Sequence, residues 1–124
     1  MDSAKVLIVD DEPNIVLAIE FLLQREGYQT EKAFDGIQAL EIASGFQPDI
    51  LILDVMMPGL NGFEVGQKVR QMPSLENTKI IFLTAKGTQR DKEIGYASGA
   101  EMYMIKPFDN EELVAAVNEM MAYG

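Results

Sequence analysis

The chain alternates between short, wholly apolar runs and longer stretches in which apolar residues recur every three or four positions. Residues 6–9, 50–53 and 80–83 are runs of four apolar residues without a polar partner. Such runs are typical of central parallel strands that helices bury on both faces. Residues 29–33 and 102–105 are predicted as two further strands. The former contains Glu31 and Lys32, so it belongs at an edge of the sheet.

Five amphipathic stretches follow the five predicted strands. The first helix is expected to begin at Pro13, a favoured first helical residue, and to end at Gly27. Helices near 37–44, 62–71 and 89–97 come next, and a last helix follows Asp109. The 89–97 helix has few large apolar residues and is expected to be the loosest. This alternation predicts an α/β fold, a flavodoxin-like (βα)5 doubly wound sandwich whose five-stranded parallel sheet has the order 2-1-3-4-5.

The composition narrows the class of protein. With 124 residues the chain fits a single domain spanning 1–124. Twenty acidic and ten basic residues give a net charge of -10, which argues against direct binding to nucleic acid or to a membrane surface. The absence of cysteine and histidine excludes disulfides, Ser-His-Asp triads and histidine zinc sites in this chain. No signal segment is visible, so a cytoplasmic location is expected.

Carboxylates follow two of the central apolar runs. Asp10 and Asp11 come directly after the first run, and Asp54 comes directly after the third predicted strand. Ligands of open α/β sheets bind where the strands end, so the three acids are expected to converge there. Because carboxylates about 4 Å apart repel one another by roughly 4 kcal/mol per pair, a divalent cation is the natural counterion.

Two further polar residues fall at strand ends on the same edge. Thr84 closes the fourth predicted strand, and Lys106 closes the fifth. Acids with a cation, a hydroxyl and an ammonium suit a phosphoryl group, whose oxygens the positive charges would neutralise. Asp54 is the candidate nucleophile, since it stands alone on a central strand.

These motifs together resemble the response-regulator receiver domains of two-component signalling. The resemblance covers nearly the whole chain and consists of segments in the family's order and spacing. The segments are Val9-Asp10-Asp11-Glu12-Pro13, Asp54 with Met57-Pro58-Gly59 and Asn61-Gly62, Thr84-Ala85, Gly99-Ala100, and Lys106-Pro107-Phe108. Each motif alone is weak, but five at consistent separations are specific.

The resemblance implies a phosphoacceptor domain that acts in signalling and is not a conventional enzyme. Asp54 would accept a phosphoryl group from a phosphohistidine on a histidine kinase or a histidine phosphotransfer protein. Asp11, Asp54 and the backbone carbonyl of Met56 would bind Mg²⁺ directly, and Asp10 would bind it mainly through water. Lys106 would pair with the phosphoryl group, and the peptide bond that follows it would be cis.

The resemblance also implies an output. Thr84 and Tyr103 would form the switch pair, and the inward movement of Tyr103 would remodel the surface of the fourth helix, fifth strand and fifth helix. A downstream effector domain or protein would read that surface. A homodimer formed on activation is possible, but residues 107–124 contain no basic side chain. That absence argues against the dimer mode which uses an arginine on the last helix.

Other interpretations stay open at this stage. An Mg²⁺-dependent phosphatase with an aspartyl nucleophile would need a second aspartate two residues after the first, where this chain has Met56. A receiver-like interaction module that is never phosphorylated is also possible. Taken singly, Thr84 could be an ordinary strand residue and Tyr103 a core residue. The sequence identifies neither the kinase, the output, the oligomeric state nor the lifetime of the phosphoryl group. By the resemblance, the residues at the positions of Met56 and Lys86 would tune that lifetime.

Overall fold

The computed structural model describes residues 4–85 and 88–122, so Lys86 lies outside the described residues. Strands and helices alternate along the chain, with one short 3-10 helix before the fourth strand. The strands are β1 (Lys5–Val9), β2 (Gln29–Ala33), β3 (Ile50–Leu53), β4 (Lys79–Thr84) and β5 (Met102–Ile105). The helices are α1 (Pro13–Arg25), α2 (Gly36–Phe46), α3 (Gly62–Arg70), α4 (Gln89–Ala97) and α5 (Asn110–Ala122), and the 3-10 helix spans Pro73–Leu75.

The boundaries follow the hydrophobic pattern closely. Four elements, β2, β3, α4 and β5, have the predicted limits, and α1 begins at Pro13. It ends two residues before Gly27, whose φ of +92° only glycine adopts readily. The 3-10 helix was not predicted, because a single turn is too short to show a periodicity.

The five strands form one parallel sheet in the order β2-β1-β3-β4-β5. This order confirms the predicted topology and places the polar strand β2 at an edge. In the central pair, Val9 of β1 stands opposite Leu53 of β3. The residues that follow them, Asp10 and Asp54, therefore leave the sheet side by side.

Helices cover the two faces of the sheet unequally. On one face α1 and α5 bury large apolar side chains, including Val16, Ile19, Leu113 and Val117. The opposite face carries α2, α3 and α4, and Phe82 of β4 lies at its centre. Neither face is open, which explains why the central strands are apolar throughout.

Helix α4 packs least tightly against the sheet. Its one buried residue is Gly95, and an added Cβ atom there would lie 2.6 Å from Cδ2 of Tyr103. The large side chains Ile94 and Tyr96 remain 39% and 50% exposed. The helix thus lies directly on an aromatic ring and buries little of its own surface, as its sequence predicted.

Within the described part of the chain, no helix is long and apolar enough to cross a membrane. The two longest, α1 and α5, have 13 residues each.

Candidate functional site

The site lies where β1 and β3 end. The backbone N–H of Asp54 donates to the carbonyl of Val9 at 2.9 Å, and that of Asp10 donates to the carbonyl of Ala33 at 3.3 Å. These bonds extend the sheet by one residue and hold both carboxylates at its edge. Asp10 is 2% exposed and Asp54 is 4% exposed. Two buried acids on adjacent strands require a compensating positive charge.

Lys106 supplies that charge. Its backbone N–H donates to the carbonyl of Thr84 at 2.9 Å, which anchors it at the end of β5. Its ammonium donates to Oδ2 of Asp10 at 2.7 Å and lies 3.8 Å from Oδ1 of Asp54 and 3.7 Å from Oε1 of Glu12. The peptide bond after Lys106 is cis, as the family resemblance implied. One ammonium therefore contacts three carboxylates.

The balance of charges leaves Asp54 poorly stabilised as an anion. Burial, followed by the charge of Asp10, raises the pKa of Asp54 to about 6. The Lys106 ammonium and a hydrogen bond from the backbone N–H of Met56 oppose this rise but do not cancel it. Burial alone would lower the pKa of Lys106, yet its hydrogen bond to Asp10 and the surrounding carboxylates leave that pKa raised. The site thus favours added positive charge next to Asp54.

The residues suit a hard divalent cation. Carboxylate oxygens of Asp10, Asp11 and Glu12 all lie within 4.8 Å of one another, and Asp11 and Glu12 are exposed to solvent. Oxygen donors of this kind are the ligands that Mg²⁺ prefers. Asp54 is not a member of this trio, although its carboxylate shares the Lys106 ammonium with Asp10 and Glu12. Sequence reasoning missed Glu12, since it considered only acids that directly end a strand or pair with one.

The loop after Asp54 is held close to the site. Gly62, the first residue of α3, approaches so closely that an added Cβ atom would lie 2.3 Å from the carbonyl oxygen of Asp54. Asn61 and Glu64 form a reciprocal capping box that fixes the start of the helix. Met56, whose backbone bonds to Asp54, keeps its side chain 56% exposed. The loop therefore places the backbone of Met56 next to the site, while the flanking residues Val55 and Met57 are buried in the core.

The predicted switch residues lie on neighbouring strands. Thr84 is fully buried at the end of β4, and Tyr103 on β5 is 8% exposed. The Tyr103 ring packs between Phe82 and Tyr96, at centroid distances of 6.0 Å and 6.5 Å. Burial, followed by the charges of Asp91 and Asp54, raises the pKa of Tyr103 to about 12. The Tyr103 ring is therefore packed between β4 and α4.

Comparison with known proteins adds independent information. The family model described as "Response regulator receiver domain" matches residues 6–118. The DNA-binding dual master transcriptional regulator RpaA of Synechocystis sp. is 38% identical over 117 residues. That match covers 94% of this chain and 48% of RpaA, so the chain spans about half the length of that relative.

Solved structures show the same architecture. The chemotaxis protein CheY4 of Vibrio cholerae is 37% identical with a TM-score of 0.92, covering 96% of this chain and 99% of that one. The receiver domain of a sensor histidine kinase from Pseudomonas aeruginosa PAO1 is 30% identical with a TM-score of 0.88, covering 98% and 99%. In that relative a magnesium ion is coordinated in the active-site cleft.

Proposed function

Because the chain belongs to the family of response-regulator receiver domains, whose standard role is to accept a phosphoryl group in two-component signalling, we propose that Asp54 is its phosphoacceptor. The observation that carries this proposal is the position of the Asp54 carboxylate. It is buried at the end of a central strand, next to Asp10, with the Lys106 ammonium 3.8 Å away. Burial raises the pKa of this carboxylate to about 6, so it is poorly stabilised as an anion.

The proposed reaction is a direct phosphoryl transfer. A carboxylate oxygen of Asp54 attacks phosphorus, the new P–O bond forms as the P–N bond to the donor histidine breaks, and the imidazole nitrogen keeps the electron pair and takes up a proton. These 124 residues include no histidine, so the donor histidine lies outside them, on a histidine kinase or a histidine phosphotransfer protein. Lys106 would pair with the phosphoryl oxygens, and the Thr84 hydroxyl would donate a hydrogen bond to one of them.

The proposed cofactor is Mg²⁺. Asp11, Asp54 and the backbone carbonyl of Met56 would hold it, with Asp10 contributing through water, and the proximity of Glu12 adds a further possible ligand. When bound, Mg²⁺ neutralises carboxylate and phosphoryl charge that would otherwise repel. The chemistry of the donor set and the magnesium-containing relative support this assignment.

The proposed output is a change at the surface formed by α4, β5 and α5. Thr84 and Tyr103 would link the phosphoryl group to that surface, which an effector domain or partner protein, or a second copy of the chain, would recognise. DNA binding is a property of RpaA as a whole, and this chain corresponds to about half of that protein. The receiver itself has a net charge of -10, which favours an output through protein contact.

Phosphotransfer from a panel of radiolabelled histidine kinases in Mg²⁺ tests the proposal. Wild-type protein should acquire label, and Asp54→Asn, whose amide is nearly isosteric, should acquire none. Asp109→Asn, an exposed carboxylate at the start of α5, serves as the matched control and should label normally. Label recovered on another residue in the Asp54→Asn protein would contradict the assignment. A chain that no donor labels would favour an interaction module without phosphorylation.

A further inference from the structure

The loop between β3 and α3, residues 54–61, is closed by bonds between its two ends. The carbonyl of Val55 accepts hydrogen bonds from the backbone N–H of Met57 at 3.1 Å and from that of Gly62 at 3.0 Å. An added Cβ atom at Gly62 would lie 2.3 Å from the carbonyl oxygen of Asp54 and 2.8 Å from Cα of Val55. The first residue of α3 therefore lies directly against the residues that leave β3.

Helix α2 contacts the same loop from the outside. Its first residue, Gly36, is buried, and an added Cβ atom there would lie 2.7 Å from the carbonyl oxygen of Leu60 and 2.9 Å from its Cβ atom. The same added atom would lie 2.9 Å from Cγ2 of Val65 on α3. The second half of the loop is thus enclosed between the N-terminal ends of two helices.

The capping box at the start of α3 fixes the last residue of the loop. The side chain of Asn61 accepts a hydrogen bond from the backbone N–H of Glu64 at 3.0 Å. In return, the backbone N–H of Asn61 donates to Oε1 of Glu64 at 3.1 Å. The second bond determines the direction in which the loop enters the helix, because it holds the main chain of Asn61. Glu64 is exposed to solvent, so it can be replaced without changing the volume of the core.

Met56 lies between these fixed points. Its backbone N–H bonds to the Asp54 carboxylate, while its side chain is 56% exposed. An exposed side chain does little to fix the main chain from which it projects. The position of the Met56 backbone is therefore determined by the buried residues on either side of it and by the closure of the loop.

We propose that Glu64 is a positioning residue of the candidate metal site. By holding the backbone of Asn61 it keeps the loop closed, and the closed loop fixes the Met56 backbone beside the Asp54 carboxylate. The affinity for Mg²⁺ then depends on a side chain outside the ligand set, as is usual for groups that orient metal ligands. This inference rests on the proposed role of the Met56 carbonyl as a ligand. The closure of the loop can be measured without any metal.

Hydrogen exchange in EDTA, followed by NMR, tests the closure of the loop. Glu64→Ala should accelerate exchange of the Met57 and Gly62 amides by about fivefold, the usual effect of losing a helix cap. Glu64→Gln should exchange like the wild type, because glutamine serves equally in a capping box. Thr78→Val controls for a general loss of stability, since it removes the buried hydrogen bond to the carbonyl of Pro48 at the opposite end of the sheet. Equal acceleration in Glu64→Ala and Thr78→Val would overturn the proposal.

Titration of the backbone amide resonances with MgCl2 tests the effect on the metal site. Glu64→Ala should raise the dissociation constant for Mg²⁺ by about tenfold, the lower end of the usual effect of groups that orient a metal ligand. Glu64→Gln should stay within about twofold of the wild type, because an exposed charge acts weakly through salt solution. This pair separates positioning from the attraction between a negative charge and the ion. Equal weakening in the two variants would overturn the proposal.

A second pair of variants keeps the test decisive if Glu64→Ala folds poorly. Asn61→Ala removes the other half of the capping box, whereas Asn61→Ser retains a side-chain oxygen that caps helices well. The first variant should bind Mg²⁺ more weakly than the second, and equal affinities would contradict the positioning role. A wild-type protein that does not bind Mg²⁺ would count against the proposed cofactor and overturn the effect on affinity. Exchange in EDTA would still decide whether Glu64 holds the loop closed.

Discussion

Charged residues have opposite roles at the two ends of the sheet, the edge where the parallel strands end and the edge where they begin. At the edge where the strands end, Asp10 and Asp54 are buried side by side and share one ammonium, which leaves Asp54 with a raised pKa. At the edge where the strands begin, Arg70 meets two backbone carbonyls and a carboxylate in close contacts. Lys79 likewise donates to the carbonyl of Met120 at 2.6 Å. Two buried carboxylates repel each other at the first edge, whereas Arg70 and Lys79 at the second edge both have acceptors in close contact.

This difference separates the edge of the sheet that is suited to bind ligands from the edge that stabilises the fold. A buried carboxylate that is poorly stabilised as an anion is stabilised more by a bound cation or a new covalent bond than a carboxylate that already has matched partners. The opposite edge can remain rigid because its charges already have partners. The comparison predicts that neutralising the Asp54 carboxylate at the first edge stabilises the fold, whereas neutralising a basic side chain at the second edge destabilises it. Three substitutions test this contrast, in order of decreasing effect.

Arg70→Gln should lower the free energy of unfolding by about 3 to 4 kcal/mol, because it leaves partly buried carbonyls and a carboxylate without a matched donor. Urea denaturation followed by circular dichroism measures this change. The exposed neighbour Lys68 provides the control, since Lys68→Gln should alter stability by no more than about 0.5 kcal/mol. If the two variants were equally stable, the edge where the strands begin would not be the stabilising one.

Asp54→Asn should raise the free energy of unfolding at pH 7, without divalent metal, by about 2 to 3 kcal/mol. The pKa of Asp54 is about 6 in the folded protein, against an ordinary aspartate value of 3.8, so the folded state holds this proton more tightly. Ionisation of Asp54 therefore costs stability as the pH rises from about 4 to 6. The advantage of the amide should be full above pH 7 and vanish below about pH 4. Thermal denaturation in EDTA across this range measures it, and an advantage independent of pH would contradict the electrostatic cause.

Lys79→Met should lower the free energy of unfolding by about 1 kcal/mol, the typical net value of a hydrogen bond. The ammonium bonds to the carbonyl of Met120 near the C-terminal end of α5, where positive charge is also favourable to the helix. Lys68→Met, at an exposed position of α3, controls for the change of side chain. Chemical denaturation of both variants provides the comparison. A stabilising effect of Lys79→Met would reverse the predicted contrast between the two edges.

Much of the fold and of the candidate site could be predicted from local patterns. Uninterrupted apolar runs identify buried parallel strands, and the polar residues in β2 place it at an edge. Since parallel strands end at the same edge, residues that directly follow them meet in space. This reasoning brought Asp10, Asp54 and Lys106 together, and the structure places all three in contact.

The remaining features depend on side-chain reach across the fold. Arg70 and Glu101 are isolated charges 31 positions apart, and no periodic pattern connects them. The approach of Glu12 to Lys106 depends on how a long ammonium side chain crosses the end of the sheet. The burial of the Tyr103 ring depends on Gly95 of α4, where an added Cβ atom would lie 2.6 Å from that ring. Such pairings are decided by tertiary packing, so a reading of local propensity does not find them.

The contact between Lys106 and Asp10, at 2.7 Å, makes the ammonium a tethered competitor for whatever cation the acidic residues take up. A group attached to the same fold acts at a high effective concentration, in the millimolar range for short flexible connections. If the acids bind Mg²⁺ as proposed, their apparent affinity is the result of an exchange, in which binding of Mg²⁺ is offset by the release of the Lys106 ammonium from Asp10. We expect half-saturation with Mg²⁺ to require a higher Mg²⁺ concentration than the carboxylates would need if Lys106 did not compete for them.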